Sequence, residues 1–197
     1  MKTELQKCLD GETFNTADDE IQAIIHRARA LTQRYNTTPS TDVSERRSII
    51  TELFQKAGSN VNIDTPFYCD YGRHISVGNN VIINMNCTFV DCNTIDIGNN
   101  VLIASNVQIY TATHSVAAQE RLVADWDEKS GTPYFRTFAL PIKIDDNAWI
   151  GGGVILLPGV TIGKNSVIGA GSVVTKSVPD NCVAVGNPCR VIREIQR

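Results

Sequence analysis

Aliphatic side chains recur at every sixth position through the carboxyl-terminal part of the chain. Six consecutive hexads begin with an aliphatic residue and carry a small or β-branched residue four positions later. The aliphatic positions are Ile144, Ile150, Leu156, Ile162, Ile168 and Val174, and their partners are Ala148, Val154, Val160, Ser166, Ser172 and Val178. Helices repeat every 3.6 residues and strands every 2, so neither produces this pattern. A strict six-residue period is typical of a parallel β-helix, in which three hexads complete a triangular coil.

The same rhythm continues upstream in two shorter blocks. The first block has its aliphatic or aromatic positions at Val77, Ile83 and Phe89, and the second at Ile97, Ile103 and Ile109. The step from Phe89 to Ile97 is eight residues, which predicts one turn with two extra residues. We therefore expect an all-β solenoid over residues 59–179, with the hexad positions stacked in its interior.

Residues 111–141 interrupt the hexads with a polar, turn-rich segment. A loop of this length in a compact domain is uncommon unless it works as a lid or as a wall of a binding site; a tolerated surface insertion is the alternative. Trp126, Tyr134 and Phe135 favour the functional interpretation, because large aromatic side chains are costly to leave exposed on an idle loop.

Residues 1–58 have a helical rather than a hexad pattern. Apolar residues at helical spacing predict a helix over 17–35, with Thr16 and Asp19 as a capping box. Together with a second helix, this segment would form a hairpin that covers the open end of the solenoid or contributes to a substrate pocket.

The second helix is predicted over 43–57. Asp42 is its expected N-cap, Glu45 its N3 residue and Gly58 the residue that ends it. Residues 180–197 leave the repeat, and we expect VIREIQR to form a short helix or strand on the outside of the solenoid.

Composition excludes several classes of protein. A net charge of −3 and 20% charged residues provide no electrostatic surface for nucleic acid or for an anionic membrane. No apolar run is long enough for a membrane span, and MKTELQKCLDGE is not a secretory signal. Six cysteines without a CxxC pair favour reduced thiols in a cytoplasmic protein: Cys8, Cys69, Cys87, Cys92, Cys182 and Cys189.

The motifs together resemble a known family. The helical amino-terminal region, VGNNVIINMNCTFVD, the histidine of TATHS, and NAWIGGGVILLPGVTIGKNSVIGAGSVVTKSVPDNCVAVGNPCRVIREI are similar to the hexapeptide-repeat O-acetyltransferases of the maltose and galactoside acetyltransferase group. The resemblance implies a left-handed parallel β-helix and a homotrimer with its active site between adjacent subunits. It implies acetyl transfer from acetyl-CoA to a hydroxyl of a sugar such as maltose, glucose or a galactoside.

Acetyl transfer to a hydroxyl needs a general base and a hydrogen-bond donor that stabilises the oxyanion. Histidine is suited to act as the base near neutral pH. Of the three histidines, we expect His26 and His74 to be structural, whereas His114 matches the catalytic base of the family. Gly152 matches the backbone N–H that stabilises the oxyanion, and Asn84 matches a residue beside the sugar and the base.

The cofactor and acceptor sites rest on the same resemblance. Positions that match contacts to acetyl-CoA are Ala170, Thr175, Lys176, Arg190 and Arg193. We also expect Gly152 to allow close approach of the thioester and Trp149 to form a wall of the pantetheine tunnel. Guanidinium forks suit the phosphates of coenzyme A because they bind phosphate oxygens bidentately. Positions that match the sugar site are Asp70, Asn84, Asp91 and Cys92.

The acceptor side departs from the family pattern. Asp70 replaces a serine of galactoside acetyltransferases, and Cys92 replaces an aspartate beside the retained Asp91. Thr16 and Ile25 stand opposite an acidic and a basic sugar contact, unless a two-residue slip gives the acidic role to Asp18. These differences concern the identity of the acceptor rather than the chemistry. Maltose, glucose, a galactoside, a lipo-oligosaccharide and a non-sugar alcohol are all compatible with the sequence.

Three other classes compete with a sugar acetyltransferase. A zinc hydratase on the same fold needs three histidine ligands in a spacing that this chain lacks, so no metal is expected. A non-catalytic scaffold would not need His114, Asn84 and the late basic residues together. A xenobiotic or antibiotic O-acetyltransferase of the same fold is the alternative enzyme, and the long helical hairpin favours the sugar group.

Overall fold

The helical part of the protein lies mainly at its amino end. The computed structural model describes residues 2–196. The helices are α1 (Glu4–Leu9), α2 (Asp19–Thr37), α3 (Val43–Leu53) and α4 (Ala118–Arg121), and a short 3-10 turn follows at Glu128–Ser130.

Short strands make up the rest of the chain. They are β1 (Lys56–Ala57), β2 (Val61–Ile63), β3 (Phe67–Cys69), β4 (Ile75–Val77), β5 (Val81–Ile83), β6 (Cys87–Val90), β7 (Ile95–Ile97), β8 (Leu102–Ile103), β9 (Gln108–Tyr110), β10 (Ala112–Thr113), β11 (Phe138–Ala139), β12 (Ile142–Ile144), β13 (Trp149–Ile150), β14 (Ile155–Leu156), β15 (Thr161–Ile162), β16 (Val167–Ile168), β17 (Val173–Val174), β18 (Cys182–Val185) and β19 (Arg190–Glu194).

The solenoid strands form the three faces of a prism. The first sheet has the order β1-β4-β7-β12-β15, the second β2-β5-β8-β13-β16-β18-β19, and the third β3-β6-β9-β14-β17. Each full coil contributes one strand to each sheet, and neighbouring coils pair in parallel. The predicted parallel β-helix is confirmed.

The interior follows the hexads. Every aliphatic or aromatic hexad position is at most 4% exposed, and every residue four positions after the last six is at most 5% exposed. The pairs Ile97–Ile144 and Ile103–Ile150 stack in register from coil to coil. Burial of these stacked side chains supplies the main driving force for the solenoid.

One line of turns carries a ladder of asparagines. Its members have φ between 55° and 62° and are Asn60, Asn80, Asn100, Asn147, Asn165 and Asn181. This left-handed conformation disfavours most residues with a Cβ, and asparagine tolerates it better than most. Each side-chain amide donates to the next asparagine oxygen at 2.8–3.0 Å. The ladder therefore joins adjacent coils outside the apolar interior.

The amino-terminal helices cover the first coil, as expected. Leu31, Ile49 and Leu53 belong to the same buried cluster as Ile63 and Phe67 of the solenoid. The hydroxyl of Tyr35, on α2, donates to the carbonyl of Ile63 at 2.6 Å. The hairpin thus closes the end of the stack that would otherwise expose apolar side chains to water.

The predicted helix boundaries need correction. The N-cap of α2 is Asp18, whose carboxylate accepts from Glu20 and Ile21, and not the Thr16 and Asp19 box. Asp42 does cap α3 by accepting from the N–H of Glu45.

Helix α3 ends at Leu53 rather than at Gly58, because Lys56 and Ala57 pair with β4 as the first strand. Gly58 is a turn residue of the solenoid; a Cβ there would lie 2.4 Å from the carbonyl oxygen of Gly78. Helix α1 was not predicted from the sequence.

The long loop and the carboxyl end are both attached to the solenoid. β10 pairs antiparallel with β11 at the base of the loop, and Phe14 forms a bridge with Thr137. β19 pairs antiparallel with β18, which confirms a strand at the end of the chain.

The six cysteines are free and buried. From residue 2 to 196, no helix has the length and apolar character needed to cross a membrane.

Candidate active site

The predicted site residues gather at two corners of the prism. The turns from the second sheet to the third contain Asn84, Gly152 and Ala170, and we call this line the glycine corner. The turns from the third sheet to the first contain Asp70 and Thr175, and the long loop with His114 leaves from the same edge, which we call the histidine corner. A face of the prism separates the corners.

His114 is exposed and follows β10. Its Nδ1 lies 2.8 Å from the carbonyl oxygen of Arg136. A carbonyl only accepts, so Nδ1–H is the donor and the neutral ring carries its free lone pair on Nε2. Nε2 makes no hydrogen bond within residues 2–196. This tautomer is the one that a general base requires.

Arg136 also fixes the loop around the histidine. Its guanidinium donates to the carbonyls of Glu120 at 3.0 Å and Leu122 at 2.7 Å, at the end of α4. Its N–H donates to the carbonyl of Arg121 at 2.7 Å. Arg136 was not among the predicted site residues, since the sequence contains no signal for a backbone carbonyl that orients a histidine.

A cleft of about 420 Å³ lies beside His114. Its walls include Thr13, Ser115, Glu120, Arg136 and Phe138. Thr13 comes from the amino-terminal segment, which the Phe14–Thr137 bridge holds against the loop. The cleft provides space for a polar acceptor at the base.

Gly152 offers an unpaired donor at the glycine corner. The N–H groups on either side are paired, Gly151 with the carbonyl of Ile168 and Gly153 with that of Ser105. Within the described part of the chain, the N–H of Gly152 has no acceptor. A free backbone N–H beside a residue without a side chain suits a developing oxyanion.

Asn84 lies two coils away along the same corner. Its Nδ2 donates to the carbonyl of Ile103 at 3.0 Å, which fixes the orientation of the amide. The side chain is partly buried. Its oxygen remains available to accept from a hydroxyl group.

Trp149 belongs to an apolar ladder on the outer face of the second sheet. Ile82, Leu102 and Trp149 pair in register and are 41%, 46% and 53% exposed. Trp149 is therefore not a core residue. A contiguous exposed ladder of this kind is typical of a surface that another molecule covers.

Arg190 and Arg193 stand on the same outer face. Arg193 pairs with Val183 and Arg190 with Val185, and the register shifts between these pairs. Because Val183 and Val185 are two apart on β18, the bulge places both arginines on one face of the sheet. Without the bulge, two residues three positions apart on a strand point to opposite faces of the sheet.

The other predicted cofactor contacts divide between the corners. Ala170 is exposed at the glycine corner, where the N–H of Gly171 donates to the carbonyl of Gly152 at 2.9 Å. Thr175 and Lys176 are exposed after β17, at the histidine corner. One chain therefore does not bring all the predicted contacts together.

Two of the predicted acceptor contacts are buried. Asp91 is 0% exposed, and its Oδ1 accepts from the N–H groups of Asp70 at 3.0 Å and Tyr71 at 2.8 Å. Its Oδ2 has no hydrogen-bond partner, and burial raises the pKa of this carboxyl to about 7. Cys92 is also buried beside Tyr71. These side chains support the turn that presents Asp70 rather than line the open surface.

Asp70 is only partly buried. Burial raises the pKa of its carboxyl, and the positive charge of Arg29 partly offsets that effect.

The other two histidines do not line the cleft beside His114. His26 is exposed on α2, and His74 is buried with its Nδ1 2.8 Å from the carbonyl oxygen of Cys92. No three His, Cys, Asp or Glu side chains in the described range are arranged to hold a metal ion.

Comparison with known proteins is consistent with this fold. The family model for the maltose acetyltransferase hexapeptide capping motif matches residues 7–58, and the bacterial transferase hexapeptide model (six repeats) matches residues 141–176. The galactoside O-acetyltransferase of Escherichia coli is 46% identical over 86% of this chain and 78% of its own length.

Solved structures agree with the sequence matches. A maltose O-acetyltransferase from Clostridium difficile is 44% identical, with a TM-score of 0.90 over 100% of this chain and 99% of that one. A hexapeptide-repeat acetyltransferase from Vibrio cholerae, complexed with acetyl coenzyme A, is 37% identical, with a TM-score of 0.87 and full coverage of both chains (100% each). The fold and the matches define an acyltransferase of the hexapeptide-repeat class. The chain belongs to the maltose and galactoside O-acetyltransferase family.

Proposed function

We propose that the protein transfers the acetyl group of acetyl-CoA to a hydroxyl of a sugar, with His114 as the general base. The observation that carries this proposal is the hydrogen bond from His114 Nδ1 to the carbonyl of Arg136, which leaves Nε2 free beside an open cleft. The acetyl coenzyme A of the Vibrio cholerae relative supports the choice of donor.

The residues divide the reaction between them. Nε2 of His114 removes the proton of the acceptor hydroxyl while its oxygen bonds to the thioester carbon. The N–H of Gly152 stabilises the negative charge on the carbonyl oxygen. The C–S bond then breaks, and the imidazolium returns its proton to the leaving thiolate. General-base catalysis of this kind contributes about 10²–10⁴-fold, and an oxyanion donor about 10²–10³-fold.

The separation of the corners supports a site shared between copies of the chain. The three-residue strand β9 alone accounts for about 10 Å between the corners at 3.3 Å per residue, too far for His114 and Gly152 of one chain to act on the same carbonyl. In the proposed homotrimer, the histidine corner of one subunit faces the glycine corner of the next. Closed cyclic assembly is the usual way to bury such surfaces.

The apolar ladder supplies a test of the assembly. Leu102→Asp should disrupt the trimer, because it would bury a charge where the ladder meets the neighbouring subunit. Val43→Asp is the matched control, since Val43 is 70% exposed on α3, away from both corners. Sedimentation of both variants measures the outcome; a stable, fully active monomer would contradict the shared site.

The chemistry is tested by the release of coenzyme A from acetyl-CoA with a panel of sugars. His114→Ala should lower kcat by about 10²–10⁴-fold while the trimer survives. His26→Ala should retain wild-type turnover, because His26 is exposed on α2. Near wild-type turnover of a correctly assembled His114→Ala protein would remove the base from the mechanism. Aminoglycoside and chloramphenicol-type acceptors belong in the same panel, and their exclusive use would refute the sugar acceptor.

A further inference from the structure

A continuous row of aromatic rings extends from His114 into the long loop. His114 contacts Phe135 edge-to-face with centroids 5.3 Å apart, Phe135 contacts Tyr134 at 5.0 Å, and Tyr134 contacts Trp126 at 6.0 Å. We call these four side chains the aromatic row. It begins at the catalytic base and leads away from it.

The row is held in place by the loop itself. The indole N–H of Trp126 donates to the carbonyl of Thr132 at 2.6 Å, and the N–H of Val123 donates to the carbonyl of Tyr134 at 2.9 Å. Leu122 and Phe135 form an antiparallel bridge. Hydrogen bonds within the long loop therefore fix the positions of the aromatic rings.

The outer rings remain open to a ligand. Trp126 is 38% and Tyr134 56% exposed, although clustered aromatic residues usually bury most of their surface. Exposed charged residues lie close to Trp126 in the sequence of the same loop, namely Asp125, Asp127 and Lys129. An apolar ring surface with a polar rim fits a sugar, because a pyranose has C–H faces for stacking and hydroxyls at its edge.

We propose that the aromatic row binds the second ring of a two-ring sugar acceptor whose first ring is acetylated at His114. The inference rests on the proposed function and adds a specificity-determining surface to it. The edge-to-face contact between His114 and Phe135 makes the row continuous with the reacting centre. The centroid steps of 5.0–6.0 Å provide stacking positions beyond the first ring.

The test compares one-ring and two-ring acceptors of the same sugar. With acetyl-CoA in excess, release of coenzyme A gives kcat/KM for methyl α-glucoside and maltose, and for methyl β-galactoside and lactose. In at least one pair, the wild-type protein should prefer the two-ring acceptor about tenfold, the effect expected for one well-stacked ring. Trp126→Ala and Tyr134→Ala should each reduce that ratio toward one, and Trp126→Phe should retain most of it.

The matched control is an exposed apolar side chain outside the loop. Val43→Ala, at a position 70% exposed on α3, should leave the ratio unchanged. Equal use of one-ring and two-ring acceptors by the wild-type protein, or an unchanged ratio in Trp126→Ala, would overturn the inference but not the proposed function. Loss of the trimer in Trp126→Ala would also overturn it, since the row would then be a subunit contact. No transfer to any sugar would refute the proposed function itself.

Discussion

Gly151 and Gly152 are adjacent, yet the structure predicts opposite consequences for their replacement by alanine. A Cβ on Gly152 would lie 3.4 Å from the carbonyl oxygen of Ser105 and 4.0 Å from Cβ of Ala104, which are ordinary contacts. A Cβ on Gly151 would lie 2.6 Å from the backbone nitrogen of Ala170 and 2.8 Å from the carbonyl oxygen of Ile168. One substitution therefore tests catalysis and the other tests coil packing.

The magnitudes follow from these distances. Gly152→Ala should change the free energy of unfolding by less than about 1 kcal/mol, because alanine fits and also restricts the unfolded chain. It should lower kcat because a methyl group beside the free N–H obstructs the thioester oxygen. The loss should stay below the 10²–10³-fold typical of a removed oxyanion donor, since alanine keeps the N–H.

Gly151→Ala requires the backbones of two coils to separate. Overpacking of this kind costs about 1–3 kcal/mol, which lowers the unfolding midpoint by roughly 2–12 °C for a chain of this size. The same shift would weaken the hydrogen bond from Gly151 N–H to the Ile168 carbonyl, now 2.8 Å long.

Two measurements on each variant separate the effects. Thermal unfolding measures packing, and release of coenzyme A at saturating acetyl-CoA and acceptor measures kcat. A Gly152→Ala protein with normal stability and wild-type kcat would refute the oxyanion role. A Gly151→Ala protein as stable as the wild type would refute the claim that adjacent coils leave no space for a side chain there.

Three further predictions use other parts of the molecule. Arg190→Ala or Arg193→Ala should raise KM for acetyl-CoA several-fold with little change in kcat, because phosphate contacts are equal in ground and transition states. Arg47→Ala, on α3, is the control. A fall in kcat without a rise in KM would contradict the assignment of these arginines to the phosphates. Asp91 keeps a proton in the folded state up to pH about 7, whereas the unfolded carboxyl loses it near 4, so its burial costs stability increasingly as pH rises through this range. Asp91→Asn should therefore gain thermal stability relative to wild type at pH 8 more than at pH 5, and a difference that does not grow with pH would exclude the explanation. Asn100→Ala should destabilise the folded protein by about 2 kcal/mol, through backbone strain and lost hydrogen bonds of the ladder. Asn100→Gly should destabilise it by about 1 kcal/mol, through the lost hydrogen bonds alone. Equal urea midpoints for the two variants would show that φ at this position is not strained.

The solenoid was predictable because each hexad carries its own structural information. Ile144 and Ile150 are buried because their coils stack on the coils before them, and the same rule holds at every repeat. The eight-residue step from Phe89 to Ile97 correctly predicted an enlarged turn, and Asp91 and Asn93 are buried within it. Periodic burial is a property of the sequence itself and needs no knowledge of distant contacts.

The helix ends were less predictable because tertiary contacts decide them. Lys56 and Ala57 continue a helical pattern in the sequence, yet their hydrogen bonds go to β4 once the first coil forms. Thr16 and Asp18 both have side chains that can cap a helix, and only the structure selects Asp18. Local propensity is a weak guide where a neighbouring strand competes for the same backbone groups.

Some features of the candidate site were likewise predictable from the sequence, and others depend on tertiary contacts. The family resemblance pointed to His114 and to the arginine pair, whereas the common face of Arg190 and Arg193 depends on a bulge in β19 that the sequence does not reveal. Asp91 is buried beneath the turn after β3, whose Asp70 and Tyr71 N–H groups donate to its carboxylate. The resemblance suggested a sugar contact that this buried position does not favour.

The long loop explains how a repetitive fold could present the proposed catalytic base. Regular coils place nearly equivalent turns along each corner, so no hexad alone can present a histidine in a unique orientation. The excursion between β10 and β11 supplies what the repeat lacks, because the carbonyl of Arg136 returns beside His114 and selects its tautomer. The glycine corner, by contrast, uses the repeat unchanged, with Gly152 as one turn in a series. In the proposed trimer the irregular corner of one subunit meets the regular corner of its neighbour, and neither is catalytic without the other.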